Sequence, residues 1–311
     1  MIDKVADILT LLEIKGIGPA KAKQVIDNAK SINRDNFIFN LKEYYNCTVT
    51  KSEWITINSN IKEKLERTVN SGIHCLPFYD ENYPKILNNL SDPPLILFIK
   101  GEVSSINTSF PFAIVGTRNP SKFTIDKGSE VCEMITAKCD CIVSGLALGC
   151  DSIAHKSAIK LGIPTIAVLP NGLDTIYPKG NLDLSNNIID KGGALLSESP
   201  IGIKPQRHQF IARDRIQAGL SNAGFLLESS KKGGSMHCMR KLKSLNRTIG
   251  SLVPPKSQTN DMNWSGNQEL LKDHSCISIE TELEINPNMT SMNDLFTSKN
   301  TIENFNQTTL F

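Results

Sequence analysis

The chain has 311 residues, 40% of them hydrophobic and 21% charged, with 20 glycines and a formal net charge of +2. That length predicts about two domains, and the composition supports a sizeable core, which excludes a wholly disordered chain, a collagen and a coiled coil. No run of about 18 apolar residues suggests a membrane span, and the N-terminus carries Asp3, Lys4 and Asp7 where a signal peptide would have an apolar core, so the expected location is the cytoplasm.

Residues 1–75 read as a small all-α domain of short helices. Val5, Ile8, Leu9, Leu11 and Leu12 have the spacing of an amphipathic helix. Ile14-Lys15-Gly16-Ile17-Gly18-Pro19 then opens a second helix. Two glycines around one apolar residue leave backbone amides free at a helix N-terminus, where a phosphate can bind. The pattern looks like a helix-hairpin-helix, a DNA-backbone module; the alternative is an ordinary packing corner. Residues 76–110 are a proline-rich approach through Tyr83-Pro84 and Asp92-Pro93-Pro94 to a strand at Leu95-Ile96-Leu97-Phe98-Ile99.

From residue 111 strands and helices alternate. Phe112-Ala113-Ile114-Val115-Gly116, Cys141-Ile142-Val143-Ser144-Gly145 and Pro164-Thr165-Ile166-Ala167-Val168-Leu169 read as strands. Helices are expected near 124–138, 151–161 and 180–192, and further strands near 194–197, 223–228 and 248–253. A last helix and strand close the domain within 266–285. The repetition predicts an α/β fold, a Rossmann-like doubly wound and mainly parallel sheet spanning 76–285, with ligands beyond the carboxyl ends of its strands. Residues 286–311, rich in Asn, Ser and Thr and without periodicity, read as a disordered tail.

The net charge hides an asymmetry. Residues 200–250 carry ten basic and two acidic groups, and residues 257–311 two basic and eight acidic ones. A basic segment of this kind suits a polyanion, although solvated helix faces would give the same count. The eight cysteines show no CxxC spacing, and the nearest pair is Cys139 and Cys141. Free buried thiols are expected rather than disulfides or zinc, with no metal and no cofactor.

Several small-residue turns follow the strands. Gly116-Thr117-Arg118-Asn119-Pro120-Ser121 offers amides, a hydroxyl and a guanidinium, the makings of a phosphate site without the full dinucleotide fingerprint. Ser144 and Gly145 begin a second such turn. Asp151 and His155, four apart on the next helix, favour a helix-start acid with a packed histidine over an acid–base pair. Tyr177-Pro178-Lys179-Gly180 places an aromatic face beside a point charge. Arg213 and Arg215, two apart in an extended or turn segment, would straddle a phosphodiester chain; internal pairing through Asp214 competes. Lys231-Lys232-Gly233-Gly234-Ser235 is a basic glycine turn beside Glu228. With no well-supported Ser/His/Asp set and no Walker loop, these turns favour an anion-binding surface over a catalytic pocket.

Taken in order, these segments resemble the DprA/Smf family, the DNA-processing protein A group. The resemblance rests on Ala113-Ile114-Val115-Gly116-Thr117-Arg118, Val143-Ser144-Gly145-Leu146-Ala147, Gly172-Leu173-Asp174, Tyr177-Pro178, Leu196-Ser197-Glu198-Ser199-Pro200-Ile201-Gly202, Arg213-Asp214-Arg215-Ile216 and Gly266-Asn267-Gln268-Glu269. It implies an extended Rossmann fold that binds single-stranded DNA without known catalysis, forms a homodimer and loads the RecA recombinase onto the strand, notably in natural transformation. It implies that Arg118 and Lys179 contact phosphates and that Arg213 and Arg215 line the same pocket. The family usually has Asn where this chain has Asp214, Ser-Gly-Ser at Gly233-Gly234-Ser235, and Val-Pro-Gly at Val253-Pro254-Pro255. The winged-helix domain at the C-terminus of many members is not expected in this sequence. The chain ends Gln307-Thr308-Thr309-Leu310-Phe311, which resembles the short motif by which bacterial replication and repair proteins bind the sliding clamp, Leu310 and Phe311 filling an apolar pocket and Gln307 bonding at its rim.

The expected function is a strand-binding mediator and not an enzyme. Two rivals remain: a nucleoside-monophosphate phosphoribohydrolase with Glu228 as its catalytic acid, and a protein that senses mononucleotides in the same pocket.

Overall fold

The computed structural model describes residues 2–28, 49–280 and 295–296. Helices α1 (Ile2–Glu13) and α2 (Pro19–Asn28) are joined by a turn in which Gly16 has φ +88°. Helix α3 (Lys51–Asn70) has 20 residues, longer than the short helices expected here. Its start is fixed by a capping box: the Thr50 hydroxyl accepts from the Glu53 amide at 3.2 Å, and the Glu53 carboxylate accepts from the Thr50 amide at 2.8 Å. Val5 and Leu9 of α1 and Ile61 and Leu65 of α3 share one buried cluster with Ile73, Leu95, Ile96 and Phe98. The helical N-terminal region is therefore packed onto the sheet rather than strung beside it.

The sheet and its helices follow in the order β1 (Ile73–Pro77), β2 (Ile96–Gly101), β3 (Pro111–Val115), α4 (Ser129–Thr136), β4 (Cys141–Ser144), α5 (Cys150–Leu161), β5 (Thr165–Leu169), α6 (Leu182–Asp190), β6 (Ala194–Ser197), α7 (Arg207–Leu220), β7 (Ala223–Leu226), α8 (Ser235–Ser244), β8 (Thr248–Leu252), α9 (Ser265–Leu271) and β9 (Cys276–Ile279). Among the described residues they form one sheet ordered β1-β2-β6-β5-β4-β3-β7-β8-β9. β1 and β2 are antiparallel additions, β1 to β2 and β2 to β6, and every other pairing is parallel. The fold is thus the mainly parallel, Rossmann-like α/β sheet that the alternation predicts. The sequence reading missed β1, whose residues it divided between the helical region and the proline-rich approach.

β3 and β5 are buried along their whole length, as strands with helices on both faces must be. From β3 the chain winds outward through β4, β5 and β6. Helix α7 then carries it back across to β7, on the other side of β3. The direction of winding therefore reverses between β3 and β7, and a crevice opens there beyond the strand ends.

One part of the expected tail is packed. Leu295 and Phe296 are buried, with the Phe296 ring centroid 5.5 Å from that of Phe112 and 5.7 Å from that of Phe110. Gln307, Leu310 and Phe311 lie outside the described residues. Phe296→Ala should destabilise the fold by about 3 kcal/mol, the usual cost of emptying a buried aromatic site; urea unfolding at neutral pH checks it.

Candidate functional site

The crevice holds a cleft of about 280 Å³. Its walls come from four places. Gly116, Thr117 and Arg118 follow β3, Ala147 and Asp151 follow β4, and Ser229, Ser230 and Gly233-Gly234-Ser235 follow β7. Helix α7 contributes Phe210, Arg213, Asp214 and Gln217. A smaller recess adjoins it, sharing Arg118, Phe210 and Arg213 and adding Gly145, Tyr177 and Pro178. The Arg118 guanidinium lies 5.3 Å from the Phe210 ring centroid, and Tyr177 meets Phe210 edge to face at 5.7 Å.

The floor is built on Arg213. Its side chain is buried, with Nη1 donating to the Val168 carbonyl at 2.9 Å. Nε lies 3.2 Å from Asp214 Oδ1, yet its N–H has no aligned acceptor. A Cβ on residue 145 would sit 1.6 Å from Arg213 Nη1, so only glycine lets the guanidinium pass. Asp151 flanks the same guanidinium and accepts from the Ala147 amide at 3.2 Å. Burial raises the pKa of Asp151, and Arg213 opposes that rise. Burial pushes the Asp214 carboxyl up to about 7, against the lowering effect of Arg213, while the negative charge of Asp151 adds to the rise. Gln217 bridges the two sides, its amide nitrogen donating to Asp214 Oδ1 at 3.1 Å and its oxygen accepting from the Gly145 amide at 2.9 Å.

The turn after β4 is held by a buried histidine. Leu146 has φ +57°, a left-handed conformation that costs a non-glycine residue of order 1 kcal/mol or more. Its amide donates to His155 Nε2 at 3.3 Å, and its carbonyl accepts from Asn181 Nδ2 at 2.8 Å. His155 Nδ1 lies 2.7 Å from Thr165 Oγ1, which donates to the Ile142 carbonyl at 2.9 Å. One neutral tautomer satisfies the chain: Nδ1 carries the proton and Nε2 accepts. Burial brings the His155 pKa down to about 3, and the nearby Arg213 charge pushes the same way. Asp151 and His155 are thus the helix-start acid and packed histidine that their spacing favours.

The other expected site residues are scattered. Gly116, Thr117, Arg118, Arg213, Gly234 and Ser235 line the main cleft, and Gly145 the recess. Ser144 lies beneath the surface, its hydroxyl donating to the Ile114 carbonyl at 2.6 Å. Lys179 is exposed just past the recess, next to Pro178. Lys231 and Lys232 are exposed on the turn after β7, Lys231 paired with Glu269 at 2.9 Å. Arg213 and Arg215 do not straddle anything. They lie on a regular helix rather than an extended or turn segment, and two residues apart on a helix face different ways. Arg215 points away from both pockets to Glu198 at 2.9 Å and Asp92 at 2.8 Å.

Glu228, the acid of the hydrolase rival, does not line the cleft. Its Oε2 accepts from the Ser121 amide at 2.9 Å, the Ser121 hydroxyl at 2.8 Å and the Thr124 hydroxyl at 2.5 Å, tying the loop after β3 to the end of β7. The loop after β7 is held by a residue whose role sequence reasoning missed. Buried Asn267 accepts from the Ser229 amide at 2.8 Å and donates to the carbonyls of Leu227 at 3.0 Å and Leu252 at 3.1 Å. Nothing local marks Asn267 for this work, because these partners are distant in sequence. Gln217 gave no signal either.

The buried neutral histidine has a measurable consequence. Its folded pKa lies below its unfolded value, so its contribution is lost as pH falls from 6.5 towards about 3. Relative to His155→Gln, the native chain should lose about 1.4 kcal/mol of stability per pH unit below 6.5, read from urea unfolding at pH 7, 6 and 5.

Comparison with known proteins places this geometry. Residues 74–287 match the family model for DNA recombination-mediator protein A. Protein Smf of Escherichia coli is 36% identical over 182 residues, which cover 58% of this chain and 48% of that protein, so the match spans about half of that relative. The X-ray structure of DNA processing protein A from Streptococcus pneumoniae superposes with a TM-score of 0.73 at 26% identity, covering 87% of this chain and 93% of the other. DNA processing protein A from Helicobacter pylori, described for its single-stranded DNA binding mode, gives 0.61 at 28% identity, covering 73% and 96%. A Rossmann-like sheet carrying the family's motifs in order, a cleft at its switch point and a family match over most of the chain lead to one assignment: this chain belongs to the DNA recombination-mediator protein A family.

Proposed function

We propose that the chain binds single-stranded DNA in the switch-point cleft and hands it to a RecA-class recombinase, as a homodimeric mediator of recombination that performs no chemistry of its own. The process it would serve is natural transformation or a related strand-exchange pathway. The observation that carries the reading is the composition of the cleft. Arg118 lies at its mouth, Lys179 stands nearby, and Lys232 is exposed on the turn after β7, with no salt bridge made by any of the three among the described residues. Gly234 and Ser235 begin α8 there, where helix geometry leaves amides free for an anion. Phe210 and Tyr177 add aromatic surface beside these donors. The H. pylori relative described for single-stranded DNA binding has the same fold. Affinity should rest on phosphate contacts, with little sequence preference and a steep fall with salt.

The chain's final residues, Gln307 to Phe311, are proposed to engage a sliding clamp. Deleting them should abolish co-elution with a purified clamp, and unchanged co-elution would refute that partner.

Fluorescence anisotropy with a labelled oligonucleotide across a salt series tests the central reading. Arg118→Ala, and separately Lys179→Ala, should each weaken binding about tenfold and reduce the salt slope by about one contact's worth. Arg215→Ala should leave the salt slope unchanged while lowering stability by about 2 kcal/mol, because it strips Glu198 of a partly buried partner. Salt-insensitive binding by the native chain would refute the proposal.

A further inference from the structure

The ionised side chains lining the cleft balance. Arg118 and Arg213 supply two positive charges, and Asp151 and Asp214 two negative ones. With both carboxylates charged, the lining has no net attraction for a phosphate, and the negative charge of Asp214 stands within 3.2 Å of the arginine a phosphate would approach. With one carboxylate neutral, the lining carries a net positive charge.

We propose that Asp214 sets the anion affinity of the cleft, competing with a bound phosphate for Arg213 and Arg118, so that the cleft takes up a proton when it takes up its ligand. The inference rests on the strand-binding reading above and deepens it.

The surroundings of Asp214 decide which carboxylate takes the proton. On its own helix it meets Arg213 and Gln217. From α5 the facing charge is Asp151, from the loop after β3 it is Arg118, and from α8 it is the Cys238 thiol, held neutral by burial. Asp151 accepts an aligned backbone hydrogen bond from Ala147, and the Arg213 guanidinium beside it favours its charged form. Asp214 has the Gln217 amide and an Arg213 N–H that is not aligned with it. Asp214 is therefore the weaker-held anion, and with its carboxyl at about 7 it changes charge where cells work. A phosphate bound beside it raises that value further, because two negative charges repel. The sign follows by linkage: the bound state holds more protons, so affinity falls as pH rises through neutrality.

The test is anisotropy of a labelled single-stranded oligonucleotide at fixed ionic strength from pH 6 to 8.5, with the native chain and Asp214→Asn. Native affinity should fall several-fold over that range, by no more than about tenfold per pH unit for one proton. Asp214→Asn should bind more tightly at pH 8 and lose most of the slope. An unchanged slope in Asp214→Asn would assign the effect to other groups and overturn the proposal. A flat native profile would overturn it as well. Absence of binding by both chains at pH 6 would overturn the strand-binding reading together with this one. Calorimetry of the native chain in two buffers of different ionisation enthalpy gives a readout that needs no variant: a fractional proton taken up per strand bound is expected, and none would refute the proposal.

Discussion

The switch-point region depends on one buried guanidinium. Arg213 runs inward from α7 past Gly145 to the carbonyl of Val168 at the end of β5. A charge so placed needs partners, and Asp151 and Asp214 supply them from two elements. The consequences spread outward. Gly145 has to lack a side chain, and the next residue, Leu146, turns into a left-handed conformation that His155 and Asn181 hold from below. The ends of β4 and β5, the start of α5 and the middle of α7 are thereby locked together, and the cleft opens above them.

The same arrangement changes what the charge count means. In the basic stretch 200–250, Arg215 pairs with Glu198 and Asp92, Lys231 and Arg240 with Glu269, and Lys243 with Asp273. Glu269 and Asp273, which follow in the chain, thus fold back onto three of the basic residues. The exposed pairs contribute little to stability and are screened by salt, so Lys231 stays accessible to a competing anion. Arg215 is different, being largely buried and tied to two carboxylates. Around the cleft, Arg118, Lys179 and Lys232 are exposed and make no salt bridge among the described residues.

Legibility divided along the same line. The alternation of apolar strands and amphipathic helices from 111 to 279 was readable because each element carries its own period. The switch-point location followed from strand ends that stop on small residues. The β1 strand was missed because Ile73–Pro77 is short and follows directly on α3, and its pairing with β2 depends on residues 19 to 27 positions away. Leu295 and Phe296 were assigned to the tail because two apolar residues make no pattern until the rings of Phe110 and Phe112 are placed beneath them.

The sequence alone determined the fold class, the family, the positions of the loops that build the cleft and the packed role of His155. These are properties of local pattern and of motif order, which a linear chain displays directly. Only the tertiary structure decided that Arg213 faces into the floor while Arg215 faces away, that Glu228 braces a loop rather than the cleft, and that Asn267 holds the turn after β7. Each of those outcomes turns on the direction of a side chain relative to partners that are distant in sequence. A helix rotates successive residues by about 100°, so the facing of two nearby arginines is settled only when the helix has docked.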